Sequence, residues 1–540
     1  MKLVVLMAML AGLSVAQAKT INVPTCSQDD FEHAYYVDSV PGDTIVLPAG
    51  SATWGNSSRA NAGVIFITTD VTVVGQGDST VITLDDTGGT FSNGVIALWS
   101  AATFKKLKII GSSAAPVTAF QINPFNSFTG GFRLTDITYV GGTADAYFAV
   151  VNAGVTSGLI DNCRITGNTG SAELIFVRGP SDAWTTNDTL GKSDNIFIEN
   201  CTFSGQGYVC DANSNARVVV RFCTINGQNK IDGHGLASNS PAVSVRQVEA
   251  YGNVWNTTGG VWTAIEVRGG TAMLFDNTAA ATGSNAFFFL TDYGYQAQWP
   301  NFGNVYQTPT NYPITHQVGR GKSGTSQPAY VFNNIKNSAA WPRSFESAQV
   351  LNMTSSATGF PVGTTNIGVS PIGINLNAGN AIAIAGDSNR YLLASTAFVP
   401  SQNLIINSPG LQSAIPASAT AVTGGAVTLY QQQTSNPSAT FTESDIIKSN
   451  RDFFADAGFD TATGVSRGTT ADMNALPTGS LTAGYGFWVT DQGSWNASAP
   501  GTSGLLYAWS GSAWVLKYTP YTYPHPLRTP RAPSNLQLGP

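Results

Sequence analysis

Short apolar or β-branched runs recur along the chain, each closed by Gly, Asn or Asp. They include Thr44-Ile45-Val46-Leu47, Val71-Thr72-Val73-Val74 and Val81-Ile82-Thr83-Leu84. Phe104 to Ile110, Leu134 to Val140 and Leu159 to Ile165 continue the series. Runs of this length, bounded by turn formers, predict short strands. Helical spacing is nearly absent. Only Gln28 to Val40, with Ser27 placed to cap it, predicts a helix.

A self-similar phrase orders these strands. Ile160-Asp161-Asn162-Cys163-Arg164-Ile165 returns as Ile198-Glu199-Asn200-Cys201-Thr202-Phe203 and as Arg221-Phe222-Cys223-Thr224-Ile225. Weaker copies follow at Tyr251 to Trp255 and Phe275 to Thr278. With Cys163, Cys201, Cys223, Val254 and Thr278 taken as equivalent, the gaps are 38, 22, 31 and 24. A variable period of about 22 residues or more, made of strands and turns, predicts a stacked β-solenoid. Longer gaps are coils carrying loops, such as Gly179 to Asp194. Each coil buries few side chains alone, and stacking the next one about 4.8 Å away covers them and pairs the backbone. Cys163, Cys201 and Cys223 are expected to stack inside as small hydrophobes, and Asn162, Asn200 and Asn277 to occupy turns. The helix would cap the open edge of the stack. The expected fold is all-β: a right-handed parallel β-helix with a small inserted β-domain and an aromatic C-terminal segment.

Residues 1–18 predict a signal peptide, with Lys2, an apolar stretch from Leu3 to Val15, and Ala16-Gln17-Ala18 as cleavage site. Secretion with cleavage near Ala18 follows as an expectation. The β-helix is expected over 19–340. Residues 355–432, rich in Ala, Ser, Thr and Gly, predict a small β-barrel-like module similar to modules of phage virion proteins. The aromatic stretch 440–540 is expected to pack back on the β-helix.

Composition narrows the partners. Of 540 residues, 11% are charged and 42% hydrophobic, which argues for an ordered chain. The net charge of −6, with no basic run, argues against nucleic acid. No later apolar run is long enough for a membrane span. The five cysteines contain no Cys-x-x-Cys pair, and their odd number leaves at least one thiol free. Oligomeric state stays open.

Several phrases carry a resemblance: Gly42 to Gly50 through Trp54, Val71 to Gly77, His234-Gly235, Arg246 to Tyr251, Val267 to Thr271, and Tyr518 to Tyr521 with Tyr523 to Arg528. Together they resemble exported bacterial right-handed β-helix proteins of the pectate-lyase-like superfamily. The resemblance spans most of the chain except 355–432 and implies the fold; it names no reaction. Gly233-His234-Gly235 also resembles the Gly-His-Gly phrase of polygalacturonase-type hydrolases, whose Asn-Thr-Asp, Asp-Asp and Arg-Ile-Lys elements are missing here.

Titratable residues concentrate between Asp211 and Arg268. His234 follows Asp211 by 23 residues and Arg268 follows Arg246 by 22, each about one coil. If these side chains share a groove, Arg246 and Arg268 would clamp the carboxylate of an acidic polysaccharide. His234, or Tyr251 or Arg217, would then remove the neighbouring proton for β-elimination. Glu249 joins the catalytic candidates, and Arg217, Arg221, Tyr251 and Tyr293 the substrate-binding ones. Asp211, Asn213 and Asn215 offer oxygens for Ca2+, or form a turn. A hydrolase would use Asp232 and Glu249. Arg217, Arg221 and Glu249 equally fit ion-pair ladders that only support stacking. The expected function is a polysaccharide lyase. The alternatives are a non-catalytic carbohydrate-binding or adhesion protein and a polygalacturonase-like hydrolase. A polysaccharide or cell-surface glycan is the expected partner.

Overall fold

The computed structural model describes residues 17–55, 63–85, 94–111, 117–122, 131–142, 147–235, 244–257, 263–281, 288–291, 318–340, 343–346, 349–352, 360–368, 381–384, 390–395, 403–414, 426–430, 450–456 and 464–529. They fall into two compact units. One holds the chain up to Ile175 with Ile196–Gly207 and the tail from Thr522; the other holds Phe176–Asn195 and Tyr208–Tyr521. Residues 1–16 of the expected signal peptide lie outside the described residues, as do Tyr293 and the neighbouring aromatic loop. Among the described residues no helix is long and apolar enough to cross a membrane.

In the first unit the predicted helix forms over Gln28–His33 and continues as a wider π turn through Ala34–Asp38. Ser27 caps it by accepting the Asp30 N–H. Buried Phe31 stacks on Trp54 at 4.9 Å. The Gln28 amide donates to the Gly63 carbonyl and accepts from the Gly55 N–H, satisfying backbone beyond the end of strand Gly50–Trp54.

Three stacks of short parallel strands follow. The first runs Thr20–Asn22, Thr44–Val46, Thr72–Val74, Thr103–Lys105, Phe132–Thr135, Gly158–Asp161 and Ile196–Glu199. A second stacks Gly50–Trp54, Thr80–Leu84, Lys108–Ile110 and Thr138–Val140. The third stacks Ile65–Ile67, Ile96–Leu98, Phe120–Ile122 and Ala149–Val151. The parallel β-helix expected from the repeats is therefore the architecture present. Its register builds a continuous inner ladder, Ile45–Val73–Phe104–Leu134–Ile160–Ile198, every member fully buried. Burying such a side chain contributes about 1.5–3 kcal/mol, and no coil holds enough of them to stand alone.

One residue after each of the last four first-stack strands turns the chain with a left-handed backbone: Lys106, Asp136, Asn162 and Asn200, with φ between 53° and 58°. Asparagine and aspartate tolerate this region better than most residues. The chain then points inward. Cys163 and Cys201 are buried there, their thiols 3.6 Å from the Leu134 and Ile160 carbonyls. Burial pushes the Cys163 thiol well above its usual range, as expected of a packing residue rather than a reactive one.

The second unit repeats the plan. Its first stack runs Arg217–Arg221, Gln247–Tyr251, Thr271–Phe275, Ala329–Phe332 and Phe453–Ala455, all parallel. A strand at 453–455 thus resumes the stack well beyond residue 340. Between lie antiparallel strands: Gln349–Asn352, Ala426–Tyr430, Ala381–Ile384 and Arg390–Leu392 form one sheet, and Asn366–Gly368 pairs with Asn403–Ile405.

Here the left-handed positions are Phe222, Gly252, Asp276 and Asn333. The residues that follow them are Cys223, Asn253, Asn277 and Asn334, so Asn277 is an inward residue and not a turn. The equivalence of Cys223 with Val254 and Thr278 is off by one. In place of cysteines these coils stack buried asparagines: Asn253 Nδ2 donates to Asn277 Oδ1 at 2.9 Å, and Asn277 Nδ2 to Asn334 Oδ1 at 2.7 Å. Each amide also bonds the backbone, so the buried polar row is satisfied.

The aromatic C-terminal segment forms a sheet of Val465–Gly468, Gly486–Val489, Leu505–Trp509 and Trp514–Tyr518. Its Trp488 packs on Phe275 and Phe332, 4.9 and 5.3 Å away, which extend an outward aromatic row from Tyr251. Tyr330 donates to the Gly484 carbonyl at 2.8 Å.

Candidate functional site

The densest cluster of charge in the second unit comes from period-2 alternation on two consecutive strands. On Gln228–Gly233 the residues Lys230 and Asp232 share a face, and His234 continues it; on Ile265–Val267 Glu266 faces the same way, continued by Arg268. Asp232 is paired with Glu266 in register, and the Arg268 N–H bonds the Gly233 carbonyl. His234 and Arg268 therefore sit at matching positions of neighbouring coils. The His234 N–H in turn bonds the Ala212 carbonyl, so Asp211 belongs to the coil before.

Arg268 Nη2 donates to both Asp232 oxygens at 2.8 and 2.7 Å. Lys230 Nζ donates to Glu266 at 2.8 Å and lies 3.2 Å from Asp232. The same ammonium stands 4.5 Å from the centre of the Tyr208 ring. Burial opposes the charge on Asp232, Lys230 and Arg268, but their pairing outweighs it. Arg268 and Lys230 hold Asp232 well below the usual carboxylate range, and Asp232 and Glu266 hold Lys230 firmly protonated. His234 is half-buried. Burial, then the Arg268 charge, pushes its imidazole down to about 4, so it is neutral near pH 7. Its Nδ1 lies 3.2 Å from the Gly235 carbonyl. A carbonyl only accepts, so Nδ1 carries the proton and the Nε2 lone pair is left to take one.

Arg246 does not join Arg268 in a clamp. The two are 22 residues apart, yet Arg268 follows the strand Ile265–Val267 while Arg246 precedes the strand Gln247–Tyr251 of another stack. Arg246 is fully buried; its Nε donates to the Ala183 carbonyl at 3.0 Å and its Nη2 to Gln327 at 2.8 Å. Its guanidinium stands 5.2 Å from the Trp184 ring, and burial lowers its pKa to about 10. Arg217 reaches the same loop through Thr186 at 2.7 Å and the Ala183 carbonyl at 3.4 Å. Both arginines thus anchor residues 180–195 over the first stack.

Glu249, Arg221 and Tyr251 are likewise covered. Glu249 is fully buried and accepts from the Gly191 N–H at 3.0 Å and from the Tyr518 hydroxyl. Burial pushes it up to about 7, against those two hydrogen bonds. Arg221 donates to the Tyr251 hydroxyl at 2.9 Å and the Tyr521 carbonyl at 2.7 Å. These residues seat the C-terminal segment on the first stack and have no face left for substrate. The hydrolase pair is not brought together: Asp232, on the strand Gln228–Gly233, is bonded by Arg268, and Glu249 lies under Gly191 and Tyr518 on another stack.

Asp211, Asn213 and Asn215 are all buried. Asn213 Oδ1 accepts from the backbone and hydroxyl of Ser214 at 2.7 and 3.0 Å, and Asn215 is left-handed. That is the bonding of a turn. A calcium ion takes six to eight oxygens. The Asn213 oxygen is already committed to Ser214. Among the described residues no group of three or more His, Cys, Asp or Glu is arranged to hold a metal.

Lys230 and Tyr208 complete the cluster and were not among the sequence candidates. The alternation of Lys230, Asp232 and His234 opposite Glu266 and Arg268 is the signal that marks them.

No family model and no curated protein sequence matches the chain. Among solved structures, an alginate lyase from Paenibacillus sp. str. FPU-7 aligns over 50% of this chain and 97% of its own, at 13% identity and TM-score 0.33. A family PL6 polysaccharide lyase from Pseudopedobacter saltans aligns over 59% and 85%, at 12% identity and TM-score 0.30. The ORF18 protein of Geobacillus virus E2 aligns over 74% and 78%, at 11% identity and TM-score 0.28. Likeness at this level says nothing about activity, and the fold rests on the strand pairing itself.

Proposed function

We propose that the protein is a secreted glycan-active β-helix protein that cleaves an acidic polysaccharide by β-elimination. The observation that supports this is the neutral His234 imidazole, with Nε2 free to accept, one coil from Arg268 and beside the Lys230 ammonium. A uronate carboxylate would draw on the guanidinium and ammonium protons that Asp232 and Glu266 do not use. Its neutralisation acidifies the adjacent C–H, and His234 Nε2 takes that proton; the C–H electron pair forms the C=C bond as the glycosidic C–O bond breaks, and the departing oxygen takes a proton from water. Two cations facing two acids are already balanced, and that favours a second reading in which the protein binds glycan without cleaving it.

The test is incubation of purified protein with a panel of polyuronates, following the ultraviolet absorbance of unsaturated uronate ends. A rise in absorbance supports the lyase. Saturable binding without product supports the second reading, and neither signal on any polymer sinks both.

A further inference from the structure

A trough of about 530 Å³ lies on the first unit, and none of its lining residues belongs to the charged cluster. Its floor follows the left-handed turns of successive coils, Lys106, Asp136 and Asn162, and one wall is the segment Val74–Asp78. The wall is held in place by a bridge between coils. Asp78 accepts from Thr138 at 2.6 Å and from Arg164 at 2.7 Å, and Arg164 also donates to Thr138 at 2.7 Å. Gly75 is required at the base, because a side chain there would meet the Lys106 carbonyl at 2.3 Å.

The chemistry of the trough is specific in what it lacks and what it offers. Asp78 and Arg164 pair with each other, and Lys106 and Asp136 balance in charge, so the described lining carries no net charge that favours an anionic or cationic ligand. The described residues lining it include no aromatic ring and only two aliphatic side chains, Val74 and Ile137, so an apolar ligand finds little surface among them. What remains is a row of groups that donate and accept. The Gln76 amide, the Lys106 ammonium and the Asp136 carboxylate are exposed and bond no other side chain among the described residues. Lys106 and Asp136 repeat with the coil spacing of about 4.8 Å, comparable to one pyranose unit of a glycan. Amide and carboxylate groups can bond two vicinal hydroxyls at once.

From these features we infer that the trough is a binding site for a neutral polysaccharide chain, distinct from the charged cluster at His234. It stands on its own geometry, so it survives if the elimination reaction does not, and the reverse.

The test is titration calorimetry of the full chain with cellohexaose, mannohexaose, xylohexaose and hexagalacturonate. The comparison is a variant carrying Gln76→Ala, Lys106→Gly and Asp136→Gly; glycine suits the left-handed backbone of the last two positions. Saturable binding of at least one neutral hexasaccharide, weakened tenfold or more in a variant with unchanged circular dichroism, is the expected result. Elimination activity, read separately on polyuronate, should be the same in both proteins. The inference is overturned if no neutral oligosaccharide binds, if only hexagalacturonate binds, or if neutral binding is equal in the variant. Should the triple variant fail to fold, Gln76→Ala alone, at an exposed position, must weaken binding at least threefold; equal affinity overturns the inference.

Discussion

Arg268 Nη2 bridges both carboxylate oxygens of Asp232 across one coil boundary, at 2.8 and 2.7 Å, with the aspartate side chain 2% exposed and the arginine 12%. Removing one partner of such a pair strands the other. Arg268→Met should destabilise the protein by about 3 kcal/mol, read as a lower urea midpoint. Adding Asp232→Asn should restore part of that loss, giving a measurable coupling in the double-mutant cycle. Additive losses would show that the pair is not coupled.

The asparagine row makes a second prediction. Asn277→Ala removes one of the two bonds made by Asn253 Nδ2 and one of the two accepted by Asn334 Oδ1, in a buried site. The cost should be about 2–3 kcal/mol, from unmade hydrogen bonds and the lost packing. Asn256→Ala, at an exposed position, should stay within about 0.5 kcal/mol of the parent. Equal effects would contradict an internal row.

All five cysteines are buried and none forms a disulfide. In the native protein they should react with a thiol reagent at least a hundredfold more slowly than in urea, where all five should titrate. Rapid labelling of Cys163 or Cys201 in native conditions would place them elsewhere.

Two groups give opposite pH dependence. His234 is lowered from 6.5 to about 4, so the unfolded chain binds the extra proton between those values and stability falls as pH drops from 6.5 to 4. Glu249 is raised from 4.5 to about 7, so the folded chain binds the extra proton there and stability falls as pH rises from 4.5 to 7. Between pH 4.5 and 6.5 the two oppose each other, so Glu249→Gln should remove the loss on the neutral side and steepen the fall from 6.5 to 4.5, as measured by melting temperature against pH. An unaltered neutral side would contradict the buried carboxyl.

The strand series was legible because Ile160, Ile198 and their equivalents are apolar residues flanked by turn formers, and stacking demands that pattern in every coil. Registration across the second unit was not. Cysteine gives way to asparagine at the inward position, and a buried asparagine reads as a turn residue until its ladder partners are seen. Spacing also misled the pairing of Arg246 with Arg268. Coil lengths vary with their loops, so a 22-residue interval joins the end of one stack to the start of another. Glu249 and Arg221 looked available because nothing local in the chain reveals that Tyr518 and Tyr521, about 270 and 300 residues later, lie over them. Lys230 is marked in the sequence only by its strand alternation with Asp232 and His234.

The most direct measurement is the release of unsaturated uronate from a polyuronate panel by the parent protein and by His234→Ala, compared across pH. The account predicts product from the parent with an acid limb governed by a group near 4, and a loss of at least a hundredfold in the variant with its fold intact. Product formation that is undiminished in His234→Ala, or absent from the parent on every polyuronate, would contradict it.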